Sequence, residues 1–222
     1  MRSLTIAFVG AVVFSSQALG ADAAKNFEGY TVQLGTGYQS IKSKTSNILI
    51  NGVSGVTASD ATLNEVPAVL GAGYTFALTN KYLFGVDLEY DLLKSKDGKS
   101  NIFVNNALIV DGGSNTKTKN RMSILLSPGY AVNDTTAIFA TVGYFKSSTS
   151  CTTDDGTACA DGSAKGYSLG GKVRFLVNKN VYMFAGASYI KANDKDVALS
   201  DGTTFKSKAD GYSTEFGVGY KF

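Results

Sequence analysis

Apolar and polar residues alternate one by one in eight separate stretches of the chain. In residues 82–92, Tyr82, Phe84, Val86, Leu88, Tyr90 and Leu92 oppose Gly85, Asp87, Glu89 and Asp91. Residues 29–38 set Tyr30, Val32, Leu34 and Tyr38 against Thr31, Gln33, Gly35 and Gly37; residues 67–78, 121–132, 166–177 and 215–222 repeat the arrangement. A period of two is that of a β-strand whose faces meet different surroundings. Residues 137–145 and 181–190 also read as strands. Aromatic residues occupy both of their faces, so the register of these two, the fifth and the seventh, stays open.

Stretches of about ten residues match a tilted strand crossing a hydrocarbon layer. The connections alternate in length. "TNK", "ND" and "NKN" are tight-turn sequences, whereas the intervening connections are long and polar. This predicts an all-β protein: an eight-stranded antiparallel up-and-down transmembrane β-barrel with short periplasmic turns and long extracellular loops. The polar face decides its orientation. It carries Asp87, Glu89, Asp91, Arg121, Lys172, Arg174 and Glu215, with a glycine in nearly every stretch. Small residues and charges that pair across a lumen suit the crowded interior of eight strands, and large aliphatic and aromatic residues suit lipid. A water-soluble lipocalin-like barrel would need the opposite arrangement.

The first residues add an address. Arg2, an apolar run from Leu4 to Phe14 and small residues before positions 20 and 23 have the layout of a secretory signal peptide. Residues 1–20 are therefore expected to be removed, with cleavage after 20 or 23, leaving residues 24–222 as the barrel domain. The chain of 222 residues has 25 glycines, 2 prolines and no histidine. Without an imidazole, Ser-His-Asp and Cys-His devices and His-ligated metals are excluded. The expectation is a non-enzymatic protein without a cofactor or metal. A net charge of +3 is too weak to argue for nucleic acid.

These features resemble the small outer-membrane β-barrel superfamily of Gram-negative bacteria, the OmpA/OmpX-type and opacity-like barrels. Glu215, Gly217, Tyr220 and the terminal Phe222 resemble the assembly signal of such proteins. The resemblance implies an outer-membrane location and recognition of this segment by the barrel-insertion machinery. It implies no activity, because adhesins, structural anchors, small channels and enzymes share the architecture. No peptidoglycan-binding domain is expected after the barrel, a departure from the full OmpA type.

Candidate function therefore sits in the loops and the lumen. Ile48, Leu49 and Ile50 precede an Asn51-Gly52 hairpin signal, and Ile102, Phe103 and Val104 form a second apolar, β-prone segment. Two readings stay open: a protruding ribbon that binds a host surface or an envelope partner, or hairpins that pack on each other over the barrel mouth. Cys151 and Cys159, in an exported chain, read as a disulfide stiffening a loop tip. Asp154, Asp155 and Asp161 read as solvated acids. Lysines crowd the outer strand ends and loops, among them Lys42, Lys44, Lys146, Lys165, Lys191 and Lys208, whereas the periplasmic turns hold only Lys81 and Lys179. Contact with lipid and lipopolysaccharide phosphates follows as an expectation. The inward charges are expected to form a salt-bridge network that plugs the lumen. The protein is then a surface barrel whose loops serve adhesion or envelope contact and whose wall stiffens the outer membrane; the alternative is a narrow gated channel for ions or small solutes.

Overall fold

Each alternating stretch forms a strand, and the strands close on themselves. The computed structural model describes residues 22–50, 53–92, 98–104, 107–153, 162–198 and 204–222; for residues 50, 53–55, 58, 98–104, 107–119, 149–153 and 195–198 only the backbone is described. The expected signal peptide and Cys159 lie outside the described residues, as does the side chain of Cys151.

A short 3-10 turn, Ala23–Phe27, leads into β1 (Gly29–Ile50), β2 (Val53–Ala58), β3 (Ala61–Glu65), β4 (Ala68–Ala77), β5 (Tyr82–Asp91) and β6 (Gly98–Val104). There follow β7 (Ala107–Ala131), β8 (Thr136–Thr153), β9 (Gly162–Leu176), β10 (Val181–Ala192), β11 (Lys195–Ala198) and β12 (Thr204–Lys221). The wall is an antiparallel ring in the order β1, β4, β5, β7, β8, β9, β10, β12, closed by the β12–β1 ladder from Thr31↔Lys221 outward. Closure pairs every wall strand on both sides, which lets a sheet sit in lipid without exposed backbone polar groups. Two of the three short turns are built by Asn side chains, and the first by the Thr79 hydroxyl, which accepts from Tyr82 N–H (3.0 Å). Asn133 Oδ1 accepts from the backbone N–H of Thr135 (2.9 Å) and Thr136 (2.8 Å), and Asn178 Oδ1 from Asn180 (2.9 Å) and Val181 (2.7 Å).

The large apolar side chains point outward, as the alternation predicts. Leu34, Leu70, Leu88, Ile124, Leu169, Phe216 and Val218 are all exposed on the outer wall. Tyrosines and phenylalanines border this band at both ends. Near the short turns, Tyr30 meets Tyr74 (4.7 Å between ring centres), Tyr82 meets Tyr130 (5.6 Å) and Tyr220 meets Phe222 (5.0 Å). At the other end, Tyr144 meets Tyr167 (5.6 Å) and Tyr189 meets Tyr212 (5.3 Å). These are the two aromatic girdles of a membrane barrel.

The two ambiguous strands now have a register. In β8, Ile138, Val142 and Tyr144 face out while Phe139 and Phe145 face in; in β10, Met183 and Tyr189 face out while Tyr182, Phe184 and Ile190 face in. Glycine on the neighbouring strand makes room for the inward rings. A Cβ at Gly217 would lie 2.8 Å from the Phe184 ring and one at Gly166 2.7 Å from Phe145, while the Phe139 and Tyr182 rings lie against Gly129 and Gly219.

Beyond the membrane the wall continues. β1 has 22 residues and β7 has 25, against the roughly ten a tilted strand needs to cross. β2 folds back on β1, β6 folds back on β7, and β2 pairs with β6 through Val56↔Val104, Thr57↔Phe103 and Ala58↔Ile102. Of the two readings of the apolar loop segments, the hairpins do pair with one another. The backbone of Ile102, Phe103 and Val104 has neighbours on both edges.

Candidate functional site

The inward face builds two different fillings along the barrel axis. At the periplasmic end the 3-10 turn enters the lumen. Ala23, Ala24 and Phe27 are fully buried against Leu83, Ala131, Ala137, Phe139, Leu176, Tyr182 and Phe184. The turn is tied to the rim at three points. Ala24 N–H donates to the Asn80 carbonyl (3.0 Å), Asn26 Nδ2 donates to the Asp134 carbonyl (3.2 Å), and Lys221 Nζ donates to the Glu28 carbonyl (3.2 Å). Lys25 Nζ, 2.8 Å from Glu28 Oε2, hydrogen-bonds that carboxylate and holds it below its ordinary pKa. The alternation of small and charged residues predicts a polar lumen throughout. Here it is apolar instead, because the wall strands of ambiguous register turn their rings inward and the chain before β1 caps them.

Farther out the filling is charged. Lys172 Nζ lies 3.1 Å from Glu89 Oε1, and the same oxygen accepts from Gln33 Nε2 at 3.1 Å. Tyr182 donates through its hydroxyl to Gln33 Oε1 (3.2 Å), which links this pair to the apolar end. One layer higher, Arg121 donates to Gln39 Oε1 (2.6 Å) and stands 3.9 Å from Asp91 Oδ2, while Gln39 Nε2 donates to Glu65.

Each inward cation also lies over a ring. Arg174 sits 4.5 Å from the Tyr182 centre and 5.1 Å from Phe139; Lys172 is 4.9 Å from Phe184, and Arg121 is 4.9 Å from Phe145. In a lumen largely cleared of water, ring faces supply electron density that a carboxylate would otherwise have to provide. This gives the inward aromatics a second task besides filling space.

The predicted charge network is thus divided. The structure brings Lys172 to Glu89 and Arg121 to Asp91. Among the described residues Arg174 makes no ion pair and donates instead to Thr75 Oγ1 (3.1 Å), Asp87 is buried without an ion pair, and Glu215 lines a small free space without an ion pair. That space, bordered also by Glu89, Asp91, Arg121, Ser123 and Ser168, amounts to about 50 Å³, room for roughly three to five water molecules. Sequence reasoning missed Gln39 and Glu65. Gln39 stands one residue past the first alternating stretch, with its side chain on the inward face. Glu65 belongs to the short β3, which carries no long period.

The remaining predicted residues fall on the wall and the outer ribbon. Glu215 and Gly217 face the lumen, while Tyr220 and Phe222 face lipid, 46% and 71% exposed, with the Phe222 N–H donating to the Tyr30 carbonyl (3.0 Å). Ile48 is half-buried opposite Val56, and Leu49, opposite Thr204, is exposed.

No curated protein matches the sequence. Among solved structures, the chain is similar to the outer membrane protease OmpT of Escherichia coli, at 12% identity and a TM-score of 0.50, over 88% of this chain and 97% of that one. It is also similar to the outer membrane protein OprG of Pseudomonas aeruginosa, at 15% identity and a TM-score of 0.48, over 88% and 96%. The attachment invasion locus protein Ail of Yersinia pestis matches at 13% identity and a TM-score of 0.42, over 85% and 99%. At such identities the likeness is one of fold. The model of the outer membrane protein beta-barrel domain matches residues 6–222. The chain belongs to this family of outer-membrane β-barrel proteins.

Proposed function

We propose that this protein is a closed, non-enzymatic surface barrel. Its wall stiffens the outer membrane, and its outer ribbon makes contact with a host surface or another envelope component. The observation that carries this reading is the filled lumen: an apolar stopper at one end, paired charges above it, and about 50 Å³ of free space between the remaining side chains. A lumen so occupied leaves the displayed ribbon as the working surface, and β1 and β7 extend far enough to hold it clear of the lipid. The absence of histidine and the engagement of Glu89 and Asp91 with cations support a non-catalytic lumen.

Two measurements test this. The purified barrel in a planar bilayer gives no steady conductance, and replacing Ile102, Phe103 and Val104 together with serine abolishes cell attachment while leaving membrane insertion intact. Unchanged attachment rejects the contact role. A second reading, a narrow gated channel, draws support from the polar space beside Glu215. It requires the Lys172–Glu89 pair to part, so Lys172→Ala or Glu215→Ala would raise a conductance already present in the wild type.

The closing strand fits an assembly role: Tyr220 and Phe222 offer rings to the lipid side at the β12–β1 seam. Phe222→Ser then lowers the amount of barrel in the outer membrane without changing synthesis, measured by fractionation.

A further inference from the structure

The chain passes from solvent into the lumen between Asp22 and Ala23. Asp22 is exposed, whereas Ala23 and Ala24 are 2% and 0% exposed and belong to the apolar cluster around Phe27. Two backbone hydrogen bonds fix this entry. The Lys25 N–H donates to the Asp22 carbonyl (3.0 Å), which closes the 3-10 turn, and the Ala24 N–H donates to the Asn80 carbonyl (3.0 Å). Asp22 and Ala23 are thus parts of the stopper, one through its carbonyl and the other through its methyl group.

The sequence alone leaves a signal peptidase two cuts, after Gly20 and after Ala23, each with an alanine two positions before it. The barrel separates them. A cut after Ala23 discards the Asp22 carbonyl and the Ala23 methyl group, and it turns the Ala24 amide into an ammonium. That charge would stand at a position with no exposure, in a cluster whose Phe139 and Tyr182 rings already carry Arg174. Moving an unpaired charge from water into such surroundings is costly. A cut after Gly20 keeps both hydrogen bonds and puts the new ammonium on Ala21, ahead of the exposed Asp22.

We infer that a signal peptidase hydrolyses the Gly20–Ala21 bond and passes over Ala23–Ala24, so that residues 21–23 stay on the mature chain and complete the stopper. Water adds across the bond: Gly20 leaves with a carboxylate, and Ala21 keeps the new amino group. The enzyme acts on the unfolded precursor, so the fold does not steer the cut. The fold shows instead what the retained residues are for. A discarded leader has no need to fit the lumen, and Asp22 and Ala23 fit it. One cut therefore releases the chain and decides whether its periplasmic end is fully closed.

The test is N-terminal sequencing of the protein recovered from the outer membrane of a Gram-negative cell that expresses the full precursor. The expected start is Ala-Asp-Ala-Ala-Lys; a start of Ala-Lys-Asn-Phe, or any other, overturns the assignment. Two substitutions read the cut independently of folding, because processing comes first. Gly20→Leu leaves uncut precursor, and Ala23→Leu is cut where the wild type is; the reverse pattern overturns the assignment. The role of the retained residues has its own measurement. With residues 21–23 deleted from the precursor, the same cut after Gly20 yields a chain that starts at Ala24. That barrel unfolds from micelles at a lower urea concentration than the wild type. Equal unfolding of the two overturns the part given to residues 21–23 in the stopper.

Discussion

At its periplasmic end the barrel is filled by Phe27, Leu83, Leu176 and Tyr182; toward the outer face the same cross-section is filled by Lys172, Glu89, Arg121 and Asp91. The first filling depends on shape, since its groups gain from leaving water whatever their partners. The second depends on mutual presence, since each charge is tolerable there only while the other remains. The two meet through Tyr182, which packs in the apolar end and donates to Gln33 beneath Glu89. The barrel is closed twice, by unrelated means.

The sharpest way to break that comparison is to remove one member of a pair. Lys172→Ala leaves Glu89 without its cation, at a cost of roughly 3–5 kcal/mol in urea unfolding from micelles. The double variant Lys172→Met, Glu89→Gln recovers most of that loss. If the double is as unstable as the single, the outer filling is held by packing after all and the contrast disappears. Phe27→Ala comes next, costing about 3 kcal/mol through the cavity it leaves. Single-channel recording sharpens the point: either variant alone stays silent because the other closure remains, and Phe27→Ala combined with Lys172→Ala conducts.

How far these closures were legible in sequence differs between them. Asp87, Glu89, Lys172 and Glu215 alternate with large apolar residues, so strict period two assigns them to the lumen, and the wall, turns and lipid band follow from the same signal. The apolar closure left no such trace. Tyr182 and Phe184 alternate with Met183 and Ala185, and hydropathy alone does not tell which set faces inward. The answer lies in glycines about 35 residues away on β12, Gly217 and Gly219, which accept the rings once the ladder brings them alongside. The 3-10 turn carries no period, so its entry into the lumen is a property of the closed barrel. The charge network was read as one body because sequence shows which charges share a face but not which meet. At Arg174 the Tyr182 and Phe139 rings and Thr75 stand where an ion pair was expected, while Lys172 and Arg121 have both a ring and a carboxylate.

The glycine–ring contacts offer a smaller perturbation of the apolar end. A methyl group at Gly129 would run into the Phe139 ring. Gly129→Ala should therefore cost roughly 1–3 kcal/mol, and adding Phe139→Leu should return part of it. A Gly129→Ala variant as stable as the wild type would mean that the ring is free to move aside, and the shape-based closure would be looser than its burial suggests.

The smallest effect concerns pH at the stopper. Lys25 and Glu28 form an ion pair within the 3-10 turn and its cap, just before β1, and the hydrogen bond from Lys25 keeps the folded-state pKa of Glu28 below its unfolded value. A depressed carboxylate contributes stability at pH above its unfolded pKa, and that contribution is lost as pH falls through the folded value. The wild type should thus exceed Glu28→Gln by a small, constant margin from about pH 7 to pH 5, closing below about pH 4. The margin is small because both side chains reach solvent. Since the rest of the stopper is apolar, the difference between wild type and Phe27→Ala should stay level across the same range. A steep change in that difference above pH 5 would show that the stopper relies on charge, and the two ends of the lumen would then be closed by the same means.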